Sequence, residues 1–90
     1  MSQQAGDLAR RGLEATDAPT DAPREVLDTR DLGPPDPLTK TLERLPELAE
    51  GTVLVQLNDR APQHLYPKLE DRGYDHETVT VEETVVTVVW

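Results

Sequence analysis

The sequence predicts an α/β chain of the α+β kind, a mixed four-stranded sheet with two helices on one face. Three observations carry this. Short β-branched or alternating runs occur at residues 25–30, 52–57, 74–81 and 84–90. Leucines at helical spacing fill the gaps after the first and second of these runs. The last two runs are nearly contiguous, which suits an antiparallel hairpin, whereas the first two are joined through a helix. That connection favours parallel neighbours with a right-handed crossover. The order is β-α-β-α-β-β, and both helices then lie on the same side of the sheet.

Residues 1–24 are rich in Ala, Asp, Thr and Gln, with "TDAPTDAP" as a near-repeat. Few large apolar groups are available to offset the entropy of ordering. This stretch is expected to be a disordered arm, with a weakly supported helix around residues 8–13. The pattern changes at Glu25, where "EVLDTR" reads as a strand. "PPDPLTKTLERL" follows as a helix. Asp36 suits the N-cap and Pro37 the first helical position. Leu38, Leu42 and Leu45 share one face, and Pro46 and Gly51 end the segment. In "TVLVQL", Val53, Val55 and Leu57 share one face of a strand, while Leu54 and Gln56 share the other. "NDRAP" is a turn, and "QHLYPKLEDRG" a second helix with Gly73 as its C-cap. Pro67 requires that helix to begin near Tyr66 or to kink. "YDHETVTV" and "TVVTVVW" form the hairpin about Glu82 and Glu83, an unfavoured turn pair.

Ninety residues make one small domain with a thin core. With no Phe, one Trp and two Tyr, the core must come mainly from Leu and Val. The absence of Cys removes disulfides, thiolate nucleophiles, iron–sulfur clusters and Cys-based zinc sites together. No run reaches the ~20 apolar residues of a membrane helix, and no signal-peptide core is present. A soluble cytoplasmic protein is expected. Eighteen acidic against nine basic residues give a net charge of −9, which disfavours nucleic acid and anionic lipid as partners. The seven Arg, two Lys and dispersed Asp and Glu fit a salt-rich, halophilic-archaeon-like cytoplasm. At molar salt the screening length is only ~3 Å, so a dense acidic surface no longer repels itself.

Residues 27–37 read Leu27-Asp28-Thr29-Arg30-Asp31-Leu32-Gly33-Pro34-Pro35-Asp36-Pro37. This stretch resembles the Leu-Asp-x-Arg-Gly-Leu-x-Cys-Pro-x-Pro motif of TusA/SirA-like sulfur carriers. It agrees at Leu27, Asp28, Arg30, Leu32, Pro35 and Pro37. It departs at Asp31, where those carriers have Gly, and at Pro34, where they have the sulfur-carrying Cys. With "LNDRAPQHLYPKLEDRGYDHET", residues 25–90 resemble a cysteine-free branch of that fold, a domain of unknown function. The resemblance implies a two-layer βαβαββ sandwich with sheet order 1-2-4-3 and a domain spanning residues 25–90. It does not carry sulfur transfer over, because Pro34 is a lost reactive position with neither nucleophile nor metal ligand.

In open sheets, ligands favour the crevice beyond the carboxyl ends of parallel strands. Arg30 and Asp31 end the first strand here. Asn58, Asp59 and Arg60 end the second, with His64 and Tyr66 close behind. These seven are the candidate ligand-binding residues. The alternative account of the same charges is structural ion pairing and capping. His64 and His76 match no zinc spacing, and no metal or cofactor is expected. Ser2 is the only serine and lies in the arm, so no catalytic triad is expected. No Gly-rich phosphate loop is present.

Two function classes follow. One is a non-catalytic binding or interaction domain, taking a protein partner or small ligand. The other is a carrier or accessory enzyme in redox or sulfur-linked metabolism, using the polar edge. A further expectation concerns the sheet. Two helices cover one face only, yet residues 84–90 carry Val on both rows, unlike a strand bordering water. The open face is expected to meet a protein partner or a second copy in a weak homodimer, with Leu54, Val85 and Val89 as its outward residues.

Overall fold

A computed structural model of the chain describes residues 2–33 and 35–90. Seven regular elements flank or form one sheet: α1 (Ser2–Glu14), β1 (Arg24–Asp28), α2 (Asp36–Arg44), β2 (Val53–Asn58), α3 (Leu65–Asp71), β3 (His76–Val81) and β4 (Thr84–Val89), with one 3-10 turn, Leu45–Glu47, after α2. The strand order is β1-β2-β4-β3. β1 and β2 are parallel, with Val26 opposite Val55. β2 and β4 are antiparallel, with Gln56 opposite Thr87, and β3 and β4 form the hairpin. The expected fold class and strand order are therefore present.

β1 begins one residue before the expected run and ends two residues before its end, at Asp28. Thr29 lies just beyond it, yet its N and Oγ1 both donate to the Leu57 carbonyl, at 2.8 and 2.7 Å. The start of α2 differs by one residue from the sequence reading. Pro35 is the N-cap and Asp36 already belongs to the helix, where its side chain makes no capping bond. Its carboxylate contributes through the helix dipole instead. Pro67 is the third residue of α3, in the first turn, where a backbone N–H has no intrahelical partner to lose. Gly73 follows α3 at φ +81°. Its N donates to the Glu70 carbonyl and the Tyr74 N to that of Leu69, which closes the helix as a Schellman motif.

The N-terminal segment departs from its expectation of disorder. α1 is a folded helix lying across the sheet, with Leu8, Ala9 and Leu13 buried against Val53, Val55, Leu57, Val86 and Val88. Ala5, Leu8, Ala9, Gly12 and Leu13 fall at the i, i+3, i+4, i+7, i+8 spacing of one helix face. Three of those five are Ala or Gly, so the stripe is weak by composition but lets the helix approach the sheet closely. The Arg11 guanidinium pairs with Glu82 at the hairpin turn, and the Asp17 N donates to Glu77 Oε1 at 2.7 Å.

The open sheet face is corrected by the same observation, because α1 occupies it. Leu54 and Val89 point the other way, into the layer with Leu45, Leu65 and Leu69 beneath α2 and α3. Val85, on the same row as Val89, is half-buried. Val on both rows of β4 is thus explained by helices on both faces, α2 and α3 on one and α1 on the other.

One buried polar chain crosses the α2 side. Gln56 Nε2 donates to Thr41 Oγ1 at 2.8 Å, and that hydroxyl donates to the Pro37 carbonyl at 2.7 Å. Gln56 Oε1 is buried without a partner.

Candidate functional site

Parallel pairing of β1 and β2 brings their carboxyl ends together. The segments leaving them, toward α2 and α3, enclose a cavity of about 570 Å³. Its wall from the first segment comprises Leu32, Gly33, Pro35, Pro37 and Leu38. From the second come Asn58, Asp59, Arg60 and the run to Leu65. Prolines on both segments restrict the backbone, and turn hydrogen bonds from Leu32 N to the Thr29 carbonyl and from Leu65 N to that of Pro62 add to that restraint. Pro37, Leu65 and Asn58 are buried, whereas Asp59, Arg60, Gln63 and His64 are exposed.

Four of the seven candidates line the cavity: Asn58, Asp59, Arg60 and His64. Asn58 is only 4% exposed, and its Oδ1 accepts a hydrogen bond from the Asp59 N at 2.8 Å. Arg60 is well exposed and meets Asp59 at 3.5 Å through Nε. His64 is exposed at the entry to α3.

Arg30, Asp31 and Tyr66 are not part of the wall. Arg30 turns back on Asp28 as a fork, Nε to Oδ1 at 2.9 Å and Nη2 to Oδ2 at 2.7 Å. That guanidinium holds the Asp28 carboxyl below the usual carboxylate range. The structural account expected as the alternative therefore applies to this pair. Tyr66 faces the hairpin, its hydroxyl 2.7 Å from Thr78 Oγ1 and its ring stacked on His76 with centroids 5.0 Å apart. His76 Nε2 lies 3.3 Å from Glu70 Oε2. Pro34, the lost reactive position, lies outside the described residues. Among the described residues no group of three or more His, Asp or Glu is arranged to hold a metal. None of the helices among them is long and apolar enough to cross a membrane.

The sequence reading missed the apolar wall, Leu32, Pro37, Leu38 and Leu65, and the polar Gln63. A signal for them was present. They lie on the same two strand-to-helix segments as the charged candidates, but isolated leucines and prolines there read as ordinary core and turn residues.

A four-stranded sheet ordered 1-2-4-3, with a cavity at the ends of its parallel pair and no cysteine in the chain, defines a cysteine-free member of the SirA/TusA-like fold. The chain belongs to the family described as an uncharacterized conserved protein (DUF2249), whose model matches residues 26–89. It is also similar to a crystal structure of a SirA-like protein from Desulfitobacterium hafniense. The identity is 27%, with 71% of this chain and 90% of that one covered, at a TM-score of 0.61. No curated protein matches the chain. The family match begins after α1, so the helix covering the second sheet face is an addition to the matched domain.

Proposed function

We propose that this chain is a small, non-catalytic ligand-binding domain whose site is the cavity at the carboxyl ends of β1 and β2. The observation that carries the reading is the cavity itself. At about 570 Å³ it falls within the roughly 300–1,000 Å³ of small-molecule sites. It occupies the crevice where open α/β sheets place their ligands, and it combines apolar walls with a few convergent polar groups. Binding is favoured over turnover by the wall's chemistry. Among the described lining residues there is no hydroxyl, thiol or amine, and the two remaining nucleophile types, the Asp59 carboxylate and the His64 imidazole, are exposed, with Asp59 paired to Arg60.

The test is a fragment screen on the full chain, read by amide chemical shifts in two-dimensional NMR. Binders should perturb Leu32, Gly33, Leu38 and residues 58–65. A Cβ added at Gly33 meets nothing within 4 Å, so Gly33→Phe adds bulk at the wall without a backbone clash. That variant should abolish the response. Perturbations clustered elsewhere and unchanged in Gly33→Phe would overturn the assignment.

A further inference from the structure

We propose that the ligand of this cavity is a small organic carboxylate with an apolar body, bound through the side-chain amide of Asn58. This rests on the reading of the cavity as a ligand site and specifies what it takes.

Asn58 is the last residue of β2, and the sheet holds it 96% out of solvent. Its amide cannot flip freely, because Oδ1 accepts the Asp59 N–H. The Nδ2 group is thereby turned the other way, and it has no hydrogen-bond partner among the described residues. Nor is it sealed inside protein. The only fully enclosed side-chain polar atom without a partner among those residues is Gln56 Oε1. A donor on a nearly buried residue that lines a cavity, unpaired and still accessible, faces that cavity. Leaving such a donor unmatched in a dry site costs about 1–3 kcal/mol, so the occupant must bring an acceptor.

The rim decides which acceptor. Arg60 comes no nearer to Asp59 than 3.5 Å, Nε to Oδ1, a loose exposed pair, and its guanidinium makes no hydrogen bond among the described residues. Arg prefers a planar, two-oxygen anion. Carboxylate oxygens reaching Asn58 Nδ2 and the Arg60 fork satisfy both. Among the described lining residues the Asp59 carboxylate is the one opposing charge, and its contact with Arg60 offsets it in part. Leu32, Leu38 and Leu65 are left to contact the rest of the molecule, which must be apolar. A bare phosphate would leave that surface in contact with its own charge.

Asn58→Asp is the discriminating variant. An Asp oxygen still accepts the Asp59 N–H, so the local turn survives, while the donor is replaced by a negative charge. The full chain is titrated with hexanoate and with hexylammonium, matched in tail and opposite in charge, and read by amide shifts. Hexanoate should perturb residues 58–65 with Leu32 and Leu38, and bind about tenfold or more tighter than hexylammonium. Asn58→Asp should invert that order. Equal binding of the two probes, or an unchanged preference in Asn58→Asp, would overturn the carboxylate assignment and leave the cavity as a site for another ligand. If neither probe perturbs the cavity residues, the carboxylate assignment fails, while the site reading stands or falls on the fragment screen and Gly33→Phe.

Discussion

Gly12 of α1 lies so close to Val86 of β4 that a Cβ at position 12 would clash with Val86 Cγ1. Both residues are buried, and Val86 is fully enclosed in the sheet. The contact is available only to glycine, and it locates α1 against the centre of the β-face. The same helix contains a second glycine, Gly6, at which an added Cβ would meet nothing within 4 Å.

The two glycines predict opposite signs for one chemical change. Gly→Ala within a helix ordinarily stabilises by roughly 0.5–1 kcal/mol. Gly6→Ala should do so. Gly12→Ala should instead destabilise by about 1–2 kcal/mol, since overpacking against a stiff β-branched neighbour outweighs the helix gain. Urea unfolding of the two full-length variants checks this. A helix detached from the sheet would make both substitutions alike.

The β3–β4 turn carries a second test. Glu82 and Glu83 sit at φ 48° and 71°, the left-handed pair of a two-residue type I′ turn. Each non-glycine residue there costs on the order of 1 kcal/mol. Glu83→Gly should raise stability by about 1 kcal/mol while leaving the Glu82 partnership with Arg11 in place. A fall in the thermal midpoint would mean that Glu83 contributes something beyond its backbone conformation.

Salt supplies a third. The net charge of −9 on a chain of 90 residues makes self-repulsion a standing cost to the folded state. Screening over ~3 Å at molar salt removes most of it. The unfolding midpoint is expected to climb substantially between ~0.1 and ~2 M KCl, as for a protein suited to a salt-rich cytoplasm. A flat profile would remove that reading of the acidic surface and leave the fold as described.

Periodicity carries a long way in this chain. The alternation of Val53, Val55 and Leu57 with Leu54 and Gln56, the spacing of Leu38, Leu42 and Leu45, and the glycine at position 73 are local signals, and each produced its element. The helix between β1 and β2 made them parallel, and that juxtaposed the two segments lining the cavity. What periodicity could not convey was contact. The stripe on α1 is made partly of Ala5, Ala9 and Gly12, residues that add little hydrophobicity and stabilise by allowing close approach, so its worth appears only against Val86. The Val residues on both rows of β4 signalled two covered faces, but the identity of the second cover depended on how α1 folds back. At the site, Arg30 and Arg60 look equivalent in sequence. The fork to Asp28, two residues away, consumes one of them, while the other, paired only loosely at Asp59, is among the residues lining the cavity. Charge can be counted along a chain, whereas the partner that satisfies it is chosen by distance in space.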